Sequence, residues 1–332
     1  MELRLVYNLR SKYPGQKGDY PPDFDAEWDI PYTIFHLKKT LEKIGFEVID
    51  ICCVPDIATK LTNSNSLVFN ICEMTGGAYR EALIPSLCES SNIPYVFSTP
   101  DVMVKTLDKN ICNLLVQQLK QNVPDWLYVK SKENTEHLAF LNNYPYIVKP
   151  AFEGSGMGIS NQSVLSNHKD LVERVNYVIY AYKQPVLVQQ YISGLELTVG
   201  VLGEGKKIEV LEPIEISLPS SKVYGYEQKE NSNTQAIYSK SSDESINMEV
   251  KTASRIIYES LGCRDAARID FRFDTAKRKL YFLEINPLPH FHPDIGDFCR
   301  SAYAAGYSYN KLIEKICNYA VLRTMLNFQQ IF

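Results

Sequence analysis

At 332 residues, 45% hydrophobic and 22% charged, the chain is longer than one core usually serves and holds enough apolar material for two or three domains. A net charge of -4 excludes a general attraction for nucleic acid or an anionic membrane, so small molecules are the expected partners. No apolar run approaches the length of a membrane span, and residues 1–7 read as a first strand rather than a signal peptide, so a cytoplasmic location is expected.

The opening strand to Tyr7, an amphipathic stretch over 32–44 stopped by Gly45, and an apolar run over 46–54 predict a βαβ unit. Short strands at 67–71 and 94–97, around a helical segment near 81–90, extend a parallel sheet, so residues 1–100 read as one α/β domain. The loop 8–25 is long and polar and carries Pro14, Gly15, Gly18, Pro21 and Pro22, which suits a mobile segment or a lid over a site. It lacks GxGxxG, so a dinucleotide fingerprint is absent. A helical pattern over 107–119 opens a second region, 101–186, with strands near 126–129 and 146–148.

The third region, 187–332, mixes strands with helices. Strands are expected at 186–191, 196–201, 208–216 and in a hairpin over 268–286, and helices near 248–261 and 309–322, an α+β pattern. Residues 219–245 are rich in Ser, Asn, Lys and Tyr without a hydrophobic period, the mark of a functional or disordered loop. The eight cysteines have no CxxC spacing and read as reduced, mostly buried residues.

Chemistry concentrates in the hairpin. Period two puts Arg268 and Asp270 on one face of its first strand and Glu284 and Asn286 on one face of its second. Two carboxylates and an amide oxygen are the hard ligands Mg2+ takes while leaving positions for phosphates, and the arginine can meet developing negative charge. The same alternation describes a half-solvated antiparallel pair, so the hairpin alone leaves both readings open. Upstream, Lys149 ends a strand before Glu153-Gly154-Ser155-Gly156-Met157-Gly158, a loop able to bring backbone N–H groups to phosphates. No lysine follows the last glycine and Gly158-Ile159-Ser160 continues like a strand, so a phosphate-binding role would make this a flap rather than a Walker A cradle, and taken alone the segment reads more readily as a glycine-rich hairpin with a solvated lysine. Two apolar strands over 186–199, with a short polar link between them, offer an adenine slot, and Glu196 a carboxylate for a ribose. By itself, Lys109 reads as a solvated helix lysine.

Taken in order, Lys109, Lys149 with the glycine loop, Glu196, Arg268/Asp270 and Glu284/Asn286 resemble the ATP-grasp superfamily, specifically the D-alanine–D-alanine ligase group. The resemblance covers nearly the whole chain, including Ala26-Glu27, Arg80-Glu81-Ala82, Leu283-Glu284-Ile285-Asn286-Pro287 and the segment 305–312. It implies an ATP-grasp fold preceded by a Rossmann-like domain, and an enzyme that activates a carboxylate with ATP to an acyl phosphate which an amine attacks. By resemblance, Asp270, Glu284 and Asn286 hold Mg2+ or Mn2+, Lys109 and Lys149 neutralise the phosphates, and Gly154, Ser155, Gly156 and Met157 cover them. Gln189, Gln190, Tyr191 and Ile192 meet adenine and Glu196 the ribose. Arg268 stabilises the tetrahedral oxyanion, Glu27 and Ser155 sit beside the first substrate's amino group, and Lys229 closes over the γ-phosphate within a lid at 219–245. The resemblance also implies small-molecule acid and amine substrates and a homodimer.

Departures from the family pattern fall around the substrates. Glu230 stands where a tyrosine is common, His290 where glycine is, Glu73 where histidine is, and Gln189 where an acidic residue often meets adenine. Asp294-Ile295-Gly296-Asp297 has no serine to hold an acceptor's carboxylate, a contact worth about 1 to 3 kcal/mol, which argues against D-alanine as acceptor. His290, His292 and Asp297 are candidates for a rebuilt acceptor pocket. The same metal and lysine set also serves a phosphotransferase or a silent nucleotide-binding regulator, but Arg268 argues for the ligase and the complete metal set against the regulator.

Overall fold

The computed structural model describes residues 1–12, 20–52, 57–61, 66–219, 221–226, 228 and 236–329. Lys229 and Glu230, and much of the expected lid with them, lie outside the described residues, as does 13–19 of the loop 8–25.

Three parallel strands open the chain: β1 (Glu2–Tyr7), β2 (Glu47–Cys52) and β3 (Leu67–Asn70), ordered β2-β1-β3. Leu3, Leu5 and Val6 of β1 are fully buried, as a central strand covered on both faces requires. Helix α1 (Pro31–Lys43) crosses between β1 and β2; it starts with proline in its first turn, buries Ile34, Leu37 and Leu41, and stops at Gly45, whose φ of 101° suits glycine alone. The expected strand at 94–97 is instead one bridge, Val68 to Tyr95, because Phe97 turns to φ 78° and gives its amide to the Asp265 side chain. Helices α2 (Ile57–Leu61) and α3 (Leu83–Ser90) complete this lobe.

A helix that the sequence reading does not foresee, α4 (Pro100–Leu107), precedes the helical pattern at 107–119, which forms α5 (Lys109–Gln118). Asp108 caps the second by accepting from the amides of Asn110 at 2.9 Å and Ile111 at 3.1 Å, and so separates it from the first. An antiparallel sheet ordered β4-β7-β5-β6 follows, from β4 (Trp126–Val129), β5 (Tyr146–Pro150), β6 (Val164–Leu165) and β7 (Val186–Gln190), backed by α6 (His168–Tyr182). Residues 158–160 do not continue as a strand: Gly158 has φ 71° and Ser160 caps a short 3-10 turn.

The largest sheet is ordered β11-β10-β8-β12-β13, with β9 beside β8. Its strands are β8 (Leu195–Leu202), β9 (Glu209–Val210), β10 (Ile214–Ser217), β11 (Ile237–Lys240), β12 (Ala266–Asp274) and β13 (Lys279–Asn286). The single strand expected at 208–216 is split by Pro213, which has no amide for the ladder. Helix α7 (Glu244–Leu261), capped by Asp243 and ended by Gly262, covers one face. Helices α8 (Asp297–Ala304) and α9 (Tyr309–Gln329) pack back onto the N-terminal lobe through one core that includes Leu5, Phe69, Phe97, Phe291, Phe298 and Ile313.

The lobes are clamped by one buried ion pair. Asp265, fully buried at the start of β12, meets Arg323 of α9 at 2.7 and 2.8 Å, while Arg323 also donates to Tyr95 O at 3.0 Å. Removing one partner of such a pair strands the other's charge. Asp265→Asn should therefore lower unfolding stability by about 3 kcal/mol, read as a lower denaturant midpoint at unchanged slope.

Candidate active site

Three strands present one face to a cleft of about 730 Å3 between the antiparallel sheets. Cross-strand register sets its rows: Arg272 pairs with Glu196, Asp270 with Thr198 and Glu284, and Arg268 with Gly200 and Asn286. The hairpin thus brings all four expected residues together, Asp270 directly opposite Glu284 and Arg268 opposite Asn286. A bulge after Asp270 leaves Leu283 without a partner, so Leu283 and Glu284 both line the cleft. Strict alternation does not foresee that.

Without cations this face is a repulsive arrangement. Burial and the neighbouring Glu284 raise the Asp270 pKa, while Arg268 opposes the shift. Arg268 holds Asp270 through Nε at 3.0 Å and Nη2 at 2.8 Å, Thr198 Oγ1 donates to Asp270 at 2.6 Å, and Glu284 lies 3.4 Å from Arg268 and 3.9 Å from Lys109. Asn286 Oδ1 accepts the Leu288 amide at 3.0 Å, which turns the chain into the following loop. Among the described residues no group of three His, Cys, Asp or Glu side chains can hold a metal. Two facing carboxylates with an amide oxygen nearby still fit Mg2+, which fills its shell with phosphate oxygens and water.

Across the cleft, Lys149 of β5 is 6% exposed and forms no hydrogen bond or ion pair among the described residues. Burial lowers its pKa to about 8, with Glu284 and Glu196 pulling the other way. Lys109 starts α5 and donates to the Glu153 carbonyl at the head of the glycine loop. That loop runs under residues 223–226: a Cβ on Gly156 would lie 2.9 Å from Gly225 C and Tyr226 N, so the close approach requires glycine. Ser155 sits at φ 49° in this turn, and Met157 is buried with its amide on Gly154 O.

At the far end, Gln189, Gln190, Tyr191, Ile192 and Glu196 line the cleft. The amides of Gln190 and Tyr191 are already taken by Asp125 O and Pro145 O. Gln189 is 1% exposed and its Nε2 is a buried donor without a partner, as a wall awaiting a base acceptor would leave it. Glu196 is held by Arg272 at 2.6 Å.

Glu27 does not stand open to a substrate. It is bidentate with Arg80 at 2.7 and 2.6 Å, and its Oε1 accepts the Gly154 amide, so it ties the N-terminal lobe to the glycine loop beside Ser155. Glu153 joins the same arginine at 3.2 Å; burial and Glu27 push its pKa up to about 7. Burial, Glu27 and Glu81 push Glu73 well above the carboxylate range. This knot borders a second cavity of about 670 Å3. The role of Arg80 escaped the motif reading; its one signal was an arginine beside an acid in Tyr79-Arg80-Glu81.

A parallel-sheet lobe followed by two antiparallel sheets that enclose a cleft of lysines, glycines and paired carboxylates is the ATP-grasp arrangement. The profile of the family described as "D-ala D-ala ligase C-terminus" matches residues 115–318, and the chain belongs to that family. It is similar to the D-alanine–D-alanine ligase of Aquifex aeolicus (strain VF5), with 29% identity over 282 residues, 84% of this chain and 91% of that one. It is also similar to that of Rickettsia typhi (strain ATCC VR-144 / Wilmington), with 29% identity over 288 residues, 86% of this chain and 85% of that one. Its fold matches the Bacillus anthracis D-alanine–D-alanine ligase complexed with ATP at a TM-score of 0.74, 19% identity, covering 98% of this chain and 99% of that one. The VanG D-Ala:D-Ser ligase of Enterococcus faecalis matches at 0.74, 17% identity, covering 96% and 99%.

The lowered Lys149 pKa yields a signed expectation. Phosphates favour the charged lysine, so nucleotide binding should take up protons near pH 8 and weaken at higher pH, by up to about tenfold per unit. Titration calorimetry in buffers of different ionisation heat checks this; Lys149→Met should bind weakly and lose the proton uptake. Gln189→Leu should weaken ATP binding by about tenfold with little change in turnover at saturating ATP.

Proposed function

We propose that this ATP-dependent carboxylate–amine ligase phosphorylates the carboxylate of an amino acid and joins it to an amine, giving a dipeptide or related amide, ADP and phosphate. The observation that carries the nucleotide site is the separation of charge: a buried Lys149 with no ion pair among the described residues on one wall and the facing Asp270 and Glu284 on the other. A polyphosphate with its cation is complementary to both walls, whereas either wall alone would be left uncompensated.

In this reading adenine lies against 189–192 and the ribose on Glu196. Lys109, Lys149 and the amides of Ser155 and Gly156 hold the phosphates. Asp270, Glu284 and Asn286 hold Mg2+, which when bound draws charge off the phosphoryl group. The donor carboxylate oxygen attacks the γ-phosphorus as the bond to ADP breaks. The amine then attacks the acyl carbon, the oxyanion forms beside Arg268, and phosphate leaves as the amide C–N bond is complete. Arg268 would leave Asp270 as that carboxylate takes a metal, which frees the guanidinium for the oxyanion. Glu27 and Arg80 act by fixing Ser155 against the donor's amino end. Lys229 would close the cleft and keep water from the acyl phosphate. Among the described residues no helix is long and apolar enough to cross a membrane, and small-molecule substrates in the cytoplasm suit the site.

Phosphate release with ATP, Mg2+ and amino-acid pools should require a donor and an amine together, and mass spectrometry should find the condensed product. Release with one substrate alone would instead mark a phosphotransferase. Glu284→Gln should lower turnover by about a thousandfold or more while the thermal unfolding midpoint stays near wild type. Unchanged activity would refute the metal assignment.

A further inference from the structure

Strand β7 sets one neutral polar side chain into the cleft. Leu187 and Gln189 share a face of β7, opposite Lys149 and Ile147 of β5, and Gln189, Lys149 and Ile147 all line the cleft. Val186 and Val188 point the other way, into the core with Leu171, Val175 and Val178 of α6. Gln189 is 1% exposed and its Nε2 is buried without a hydrogen-bond partner. A buried donor left unpaired costs stability, so on a cleft wall it marks a place where a ligand supplies an acceptor.

The adjoining link adds a second donor. The amides of Gln190 and Tyr191 donate to Asp125 O at 2.7 Å and Pro145 O at 3.0 Å, but the Ile192 amide forms no hydrogen bond among the described residues. The link is held from outside: the Tyr191 hydroxyl donates to Lys222 O at 2.7 Å, and the Arg272 guanidinium lies over the Tyr191 ring, 5.6 Å from its centroid. The wall therefore presents two free donors in positions set before a base arrives.

What an amide at 189 recognises follows from its atoms. A carboxylate only accepts, so it would select the 6-amino group of adenine and repel a 6-keto oxygen. An amide does both: Oε1 accepts from an amino group, and after a half-turn Nε2 donates to a keto oxygen. The Watson–Crick edge of adenine offers the two free donors one acceptor, N1. A 6-keto oxygen offers them two lone pairs. Glu196, the lysines and the glycine loop meet the ribose and phosphates that all purine nucleotides share, so the choice of base falls to this wall.

We propose that the base slot does not select adenine: it binds 6-oxopurine nucleoside triphosphates alongside ATP, and Gln189 is the residue that admits them. This rests on the nucleotide site of the ligase reading and names which bases that site takes.

Titration calorimetry of the full chain with ATP, ITP and GTP, each with Mg2+, reads the slot without depending on turnover. ITP replaces the 6-amino group of ATP by a keto oxygen, and GTP adds a 2-amino group. Wild type should bind ITP and GTP with Kd values within about 30-fold of that for ATP; a wider gap for either overturns the proposal. Gln189→Glu should raise the ratio of the ITP Kd to the ATP Kd by about tenfold or more, because a keto oxygen then faces a carboxylate. A smaller rise in that ratio overturns the proposal, and the wild-type comparison decides it alone if the variant does not fold. ATP binding with ITP and GTP excluded sinks the proposal and leaves the ligase reading standing. A wild-type chain that binds none of the three overturns both.

Discussion

Two carboxylates facing each other across neighbouring strands are the constraint around which this molecule is built. Asp270 and Glu284 repel, and burial strengthens that repulsion because the low local dielectric no longer hides it. Three cationic side chains answer them, and each comes from a different part of the chain. Arg268 lies on the same strand, Lys109 begins a helix after the first lobe, and Lys149 ends a strand of the other sheet. The lobes therefore meet where their charges need one another. Lys149 feels the acids electrostatically but forms no ion pair with them among the described residues.

Each wall of that cleft is then held by supporting side chains. Arg272 pins Glu196, Thr198 pins Asp270, and the Glu27–Arg80–Glu153 knot carries the glycine loop. Burial, with the neighbouring Glu27 adding to it and Arg80 opposing, pushes the Glu153 and Glu81 carboxyl groups up to about 7. The Asp265–Arg323 clamp performs the same office for the lobes as a whole. Pre-set positions of this kind let the site stabilise charge without reorganising when it develops.

The position of α8 against the large sheet is set by packing. Gly200 lets α8 settle against the sheet, Phe291 anchors the preceding loop in the core shared with the first lobe, and Asp297 and Arg300 end up on either side of the Tyr224–Tyr238 pair.

Much was legible along the chain because it depends on spacing alone. Period two put Arg268 with Asp270 and Glu284 with Asn286; the glycines after Lys149 announced a close backbone approach; and Gly45 marked a helix end through a preference local to a few bonds. What spacing could not carry was any contact between distant segments. The bulge at Leu283 and the bridge at Tyr95 in place of a strand each result from competition among groups brought together only by folding. Local sequence decided which side chains share a face, since that follows from backbone geometry. The tertiary structure alone decided which of those faces meet, because burial and charge compensation act through space and not along the chain.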